Sequence, residues 1–266
     1  MTDENFSQLK AMHRQMWSSF APTAVLTTPV AAHLVDFAQL TPNESVLDVG
    51  CGTGVVALTA ARLGARVSGL DLTPELLEHA RANSDIAGCN IDWTEGDAEN
   101  LPYPDASFDV VLSQFGHMFA PRPDVVVREM RRVLKPGGRV AFATWPPEHF
   151  VGRFFALVGK HSPAPPPGAS PPPLWGSVPV INERLAAGFG QPFFERGAML
   201  VPALSAQHFW EFMAKGIGPL QKIVEALAGS PPELEAVRSE FIELATPYLR
   251  RNVVHQDYLL ARAHAV

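Results

Sequence analysis

The residues best suited to chemistry fall in one stretch, where Asp48 precedes the glycine loop Gly50-Cys51-Gly52-Thr53-Gly54, Asp71 follows Gly50 by 21 positions, and Asp97 follows within Gly96-Asp97-Ala98. Glycines let a backbone turn tightly and come close to a ligand, and a helix starting near Val55 would add its unpaired amides. Asp71 suits the two hydroxyls of a ribose, or else serves as an acid at the start of the next helix. The loop reads GxGxG, whereas the dinucleotide fingerprint is GxGxxG, and Val55 takes the place of its last glycine. Asp48 would repel a pyrophosphate but attract an ammonium, and Asp97 can accept a hydrogen bond from the amino group of adenine. These acids favour a nucleoside carrying an amino acid over a diphosphate ligand. His117, in Ser113-Gln114-Phe115-Gly116-His117, is the first candidate for a general base; its alternative is a hydrogen bond within the loop. His13, His149 and His208 are weaker candidates, expected to be surface or structural.

Those groups need elements to hold them. Short apolar runs at Val46–Val49, Arg66–Leu70, Ile91–Thr94, Phe108–Leu112 and Arg139–Thr144 alternate with helical stretches, which predicts a doubly wound α/β sheet of buried parallel strands. In such sheets ligands sit at the carboxyl ends of the strands, where the loop, Asp71 and the segment after Phe108–Leu112 all fall. Thr73-Pro74-Glu75 reads as a helix start, and Lys135-Pro136-Gly137-Gly138 as a helix stop that turns into a strand. Before the sheet, Phe6, Leu9, Met12, Met16, Trp17 and Phe20 recur at helical spacing, and a second apolar run covers Val30–Leu40. After Trp145, eight prolines between Pro163 and Pro179 predict a stiff loop, either a lid or a wall. A helix at Ile181–Gly188, a strand at Phe193–Val201, helices within Ala206–Leu249 and a strand near Tyr258–Ala263 complete the reading.

The chain has 266 residues, 47% of them apolar, enough for a full-sized core. A net charge of −6 argues against a broad basic surface for nucleic acid. No apolar run is long enough to span a bilayer, and Asp3 and Glu4 stand where a secretory leader would carry positive charge, so a cytoplasmic protein is expected. Neither Cys51 nor Cys89 has a CxxC or Cys/His partner, so no disulfide or metal is expected.

VLDVGCGTG, GLDLTPELLEHAR, GDAENLPYPDASFDVV and LKPGG, taken in order over roughly residues 41–145, resemble the class I S-adenosylmethionine-dependent methyltransferases. The closer likeness is to the ubiquinone/menaquinone-biosynthesis C-methyltransferase branch. The resemblance implies a Rossmann-like seven-stranded sheet in the order 3-2-1-4-5-7-6, with strand 7 antiparallel. It divides the chain, a single domain overall, into a helical cap over 1–40, a cofactor-binding core over 41–150, and an insertion of substrate-lid helices with the last two strands of the sheet over 151–266. It implies S-adenosylmethionine as cofactor, leaving as S-adenosylhomocysteine, and no metal. Carried onto this sequence, Asp48 lies near the methionine amine, Gly50 and Gly52 face methionine and ribose, and Asp71 holds the ribose hydroxyls. Leu72 packs on adenine, Asp97 and Ala98 meet its edge, and Ser113, Gln114 and Phe115 line the methionyl end. For Ala98 and Phe115 ordinary packing is the alternative, and Trp17 either closes over the cofactor or anchors the first helix.

The acceptor is expected to be a small apolar or aromatic molecule, methylated at carbon, oxygen or nitrogen, in a chamber built from Phe119, Trp145, Phe150, Phe154, Phe155, Trp175, Phe209, Trp210 and Phe212. No nucleic-acid or membrane partner is expected, and the protein is a monomer or homodimer. Two other readings stand: a non-catalytic S-adenosylmethionine-binding subunit, and an NAD-dependent oxidoreductase, which the GxGxG spacing disfavours.

Overall fold

In the computed structural model, which describes residues 3–266, an amino-terminal helix α1 (Asp3–Trp17) leads through α2 (Ala21–Ala24) into α3 (Thr28–Phe37). Met1 and Thr2, the start of the stretch read for a leader, lie outside the described residues, and no side chain is described for Asp3 or Glu4. The alternating core follows: β1 (Ser45–Val49), α4 (Val55–Arg62), β2 (Arg66–Asp71), α5 (Pro74–Ala87), β3 (Ile91–Glu95), β4 (Phe108–Gln114), α6 (Pro123–Val133) and β5 (Leu134–Thr144). Beyond it come α7 (Phe150–Lys160), α8 (Val178–Leu185), β6 (Phe193–Pro202), α9 (Ala206–Gly216), α10 (Gly218–Ala226), α11 (Pro231–Ala245), a two-residue strand β7 (Leu249–Arg250) and β8 (Val253–His264).

The strands form one sheet in the order β3-β2-β1-β4-β5-β8-β6, with β1 to β5 parallel and β8 antiparallel to both β5 and β6. This is the order implied by the resemblance, with β8 in the place of strand 7. The additional strand, β7, pairs with the start of β8 through a two-residue turn in which Arg251 and Asn252 both have positive φ. A turn of that kind matches the twist of the two strands it joins. Val46, Leu47 and Val49 of β1 and Val110, Val111 and Leu112 of β4 are fully buried, as a central parallel strand covered on both faces requires.

Three expectations shift. Lys135–Gly138 does not stand apart as a turn: α6 ends at Val133, and β5 begins at once, Leu134 pairing with Phe108 before the register jumps to Arg139 opposite Val110. The extra residues bulge out of the strand through Gly137 at φ +75. The final strand is twice as long as its apolar core Tyr258–Ala263 suggested, because its first half alternates and pairs on both sides. On α1 the period holds but the phase differs: Met12 is exposed, while Lys10, His13, Arg14 and Trp17 form the inward stripe.

Candidate functional site

A cavity of about 240 Å³ opens at the carboxyl ends of β1, β2 and β4, under α1. The residues around it fall into two halves. Over β1 to β3 the wall is polar backbone and acid: Asp48, Gly50 to Thr53, Asp71 to Thr73 and Gly96 to Ala98. Over β4, β5, β8 and β6 it is apolar: Phe115, Phe119, Trp145, Val151, Phe154 and Phe155, closed by Met199, Val201, Phe212, Met213 and Ile217.

The polar half follows from its local sequence. Gly50, Gly52 and Gly54 all have positive φ, a region side chains rarely adopt. Gly50 must be glycine for a second reason: a Cβ there would lie 2.8 Å from the Cα of Gly116, and one on Gly116 would lie 2.6 Å from the Gly50 carbonyl. The loops after β1 and β4 thus cross in direct backbone contact. A Cβ on Gly52 would meet nothing within 4 Å, so its backbone is bare toward the cavity. The Asp71 carboxylate accepts from the Gly52 amide at 2.7 Å and the Thr73 amide at 2.8 Å, which leaves lone pairs for a ligand. Asp48, paired in register with Gly69 and Leu112, is buried and, among the described residues, accepts from the Ala57 amide at 3.1 Å. Burial pushes its carboxyl up to about 7, opposed by that amide and reinforced by the charge of Asp71, whose own value burial also raises. Neither acid has a cationic side chain as partner among the described residues.

At the far edge, Asp97 accepts from Lys10 Nζ at 2.6 Å and from the Glu99 amide at 2.9 Å. Glu99, which the sequence reading passed over, is buried; it takes Lys10 and grips Arg122 through the Arg122 amide at 2.7 Å and Nε at 2.8 Å. One turn further along α1, Arg14 meets Glu95 at 2.7 Å. Helix α1 is therefore latched over the polar half by two cations, Lys10 and Arg14, and Trp17 beyond them packs on Phe119 with ring centroids 4.8 Å apart.

The structure brings together Trp17, Asp48, Gly50, Gly52, Asp71, Leu72, Asp97, Ala98, Gln114 and Phe115 around this one cavity. It does not bring in Ser113 or His117. The Ser113 side chain is fully buried, donates to the Val49 carbonyl at 2.6 Å and receives the His117 amide at 3.1 Å, so it ties two strands and a turn together below the cavity floor. His117 is fully buried as well, its Nδ1 3.1 Å from the Ser113 oxygen and its ring against Phe142 and Trp175, each with centroids 4.6 Å away. Burial, reinforced by the charge of Arg184, lowers its pKa to about 3. His117 cannot reach a substrate in this cavity, which corrects its expected role as base.

The histidine that does line the cavity is His13, where burial lowers the pKa to about 4 and an interaction with the Phe119 backbone offsets part of that. Its signal was the spacing Lys10-His13-Arg14-Trp17, overshadowed by the apolar residues interleaved with it. Of the aromatics expected in the chamber, Phe119, Trp145, Phe154, Phe155 and Phe212 line it. Phe150, Phe209 and Trp210 instead pack with Phe241 into the core between α7, α9 and α11. Trp175 is buried on His117, and no residue of Pro163–Pro179 lines the cavity, so that segment is not its wall.

With this geometry the comparisons agree. The methyltransferase-domain profile matches residues 47–142. An uncharacterized protein of Mycobacterium tuberculosis is 33% identical over 255 residues, covering 94% of this chain and 93% of its own length. A demethylmenaquinone methyltransferase of Tropheryma whipplei is 42% identical over 125 residues, 46% of this chain and 51% of that protein. Among solved structures, the YcgJ protein of Bacillus subtilis shares the fold at a TM-score of 0.61 and 20% identity, covering 88% of this chain and 97% of that one. The cyclase SpnF shares it at 0.56 and 23%, covering 89% and 80%. The chain carries a methyltransferase domain over residues 47–142 on a fold shared with methyltransferase structures, and it resembles the class I S-adenosylmethionine-dependent methyltransferases. Over about half its length it is similar to a demethylmenaquinone methyltransferase.

Proposed function

We propose that this protein transfers a methyl group from S-adenosylmethionine to a small, uncharged, largely apolar acceptor. The observation that carries the reading is the pair of buried carboxylates, Asp48 and Asp71, without a cation, beside a glycine whose backbone is bare to the cavity. Buried charges are costly unless a partner arrives, and a ligand with an ammonium and two vicinal hydroxyls supplies that partner. S-adenosylmethionine provides a methyl group on a positively charged sulfur.

In this reading Asp48 holds the ammonium, and Asp71, steadied by the Gly52 and Thr73 amides, receives the ribose hydroxyls. Leu72 packs on the adenine, Ala98 meets its edge, and Asp97 takes its amino group beside Lys10. Phe115 and Trp145, stacked with centroids 3.9 Å apart, form the wall where the two halves of the cavity meet. The chain's main contribution to rate is alignment of nucleophile, carbon and sulfur in a closed space, an advantage worth many powers of ten when geometry is right. Trp17 and Phe119 keep water from that space. Where the acceptor's nucleophile carries a proton, neutral His13 is the cavity's histidine able to receive it.

Calorimetric titration with S-adenosylmethionine, S-adenosylhomocysteine and NAD tests the reading. Micromolar binding of the sulfur ligands without NAD is the expected result. Binding of NAD alone would overturn it.

A further inference from the structure

The apolar half of the cavity contains no ionised side chain among its described lining residues; Lys10, Arg14, Asp48, Asp71 and Asp97 all belong to the polar half. Its polar groups are few: the Thr23 and Thr27 hydroxyls, the Gln114 and Gln256 amides and the indole N–H groups of Trp17 and Trp145. The Thr23 and Thr27 hydroxyls donate to the carbonyls of Phe20 at 2.8 Å and Ala24 at 2.7 Å. Two polar atoms of the lining are buried and unused: Gln114 Oε1 and Trp17 Nε1.

The orientation of the Gln114 amide is fixed by chemistry. Its nitrogen faces the Thr27 carbonyl at 3.2 Å, and a carbonyl can only accept, so that atom must be the NH₂ group and the orphan must be the oxygen. Thr27 ends the turn Val25–Thr27, which packs against β6, so the Gln114 side chain is drawn toward the apolar half and away from Asp71 and Asp97. Trp17 Nε1 is the complementary orphan, since an indole nitrogen can only donate. Buried polar atoms without partners cost about 1–3 kcal/mol each, and a ligand that satisfies both recovers that cost. A hydroxyl is the smallest neutral group that donates and accepts at once. A carboxylate would meet Gln114 oxygen to oxygen, and an ammonium would point its protons at the Trp17 N–H.

We propose that Gln114 and Trp17 are the specificity-determining pair for the acceptor, selecting an apolar molecule with a neutral hydroxyl that donates to Gln114 Oε1 and accepts from Trp17 Nε1. The proposal rests on the methyl-transfer reading for the identity of its ligand as acceptor, but its test needs no turnover.

The probes are 2-naphthol, naphthalene and 2-naphthoate, titrated against the protein with and without saturating S-adenosylhomocysteine, whose own binding is measured first. The expected result is a preference of about ten-fold or more for 2-naphthol over both others, the factor that one recovered hydrogen bond provides. Gln114→Leu should erase that preference. Trp17→Phe, which keeps a ring but removes the N–H, should reduce it. Thermal melts of both variants show that they fold. Equal binding of the three probes, preference for 2-naphthoate, no binding of any probe, or a preference that survives Gln114→Leu would each overturn the proposal. A Gln114→Leu variant that loses S-adenosylhomocysteine affinity while keeping the naphthol preference would also overturn it, by giving the orphan oxygen to the cofactor. Failure of S-adenosylhomocysteine to bind the unaltered protein sinks the cofactor reading instead, and the probe titrations made without it still decide the pair.

Discussion

Asp48 is the residue whose environment makes the most of pH. Its folded pKa of about 7 lies above the ordinary 3.8, so between those values the folded state holds a proton that the unfolded chain has released. Stability contributed in this way is present at low pH and lost as pH rises toward 7, by about 4 kcal/mol at most. The buried histidines act with the opposite sign, their lowered values of about 4 for His13 and about 3 for His117 costing stability as pH falls below 6.5. The difference between the wild type and Asp48→Asn isolates the acid: denaturant melts should show the variant more stable than the wild type at pH 8, with the gap closing by pH 4. An ammonium beside Asp48 favours the carboxylate, so binding of S-adenosylhomocysteine at pH 6 should release protons, read as a dependence of the calorimetric heat on buffer ionisation enthalpy. Asp71→Ala should weaken that binding by about 1–3 kcal/mol, and unchanged affinity would refute its assignment to the ribose. His117→Ala should leave the affinity intact and lower stability by about 2–4 kcal/mol, because it empties a packed site under Trp175. The acids were legible in the sequence because their spacing places each at the end of a strand. His117 was misread because its side chain turns into the core at that strand end, against Trp175, a residue 58 positions later.

At the scale of elements, the crossing of the β1 and β4 loops and the latching of α1 set the shape of the site. Gly116→Ala drives a methyl group into the Gly50 backbone and should cost more stability than any exposed glycine change; Gly159→Ala, on the open face of α7, should instead stabilise by about 0.5–1 kcal/mol. Thermal melts of the two variants give the comparison. The latch joins Lys10 to Asp97 and Glu99 and Arg14 to Glu95, pairs that salt screens where they reach solvent. Lys10→Met should speed release of S-adenosylhomocysteine several-fold in stopped-flow displacement, and added salt should do the same to the wild type but less to the variant. An unchanged rate in both would show that α1 does not gate the site. The period of α1 was readable, but its phase was not, since a stripe of lysine, histidine, arginine and tryptophan facing a cavity looks in sequence like a solvated face. The proline segment was read correctly as irregular, forming a tight turn at Pro172–Gly176, yet its place behind His117 rather than over the cavity depends on contacts no local pattern encodes.

For the molecule as a whole, the alternation of strands and helices made the parallel part of the sheet legible to within a residue or two, except at β5, which begins five residues before the expected Arg139. The carboxyl-terminal third was harder, because its helices owe their positions to aromatic packing around Phe241 and its last strand pairs with two partners far apart in sequence. That strand, β8, is the last of the sheet to leave the ribosome, yet it lies between β5 and β6. Until it emerges, β6 has no neighbour to pair with and the apolar half of the cavity lacks Gln256 and the strand that holds Met199 in place. The parallel strands and the polar half of the cavity can be assembled during synthesis, while the apolar half must wait for the final strand to slide into a gap already flanked on one side. A nascent chain would therefore form the polar half of its cavity before the apolar half is closed.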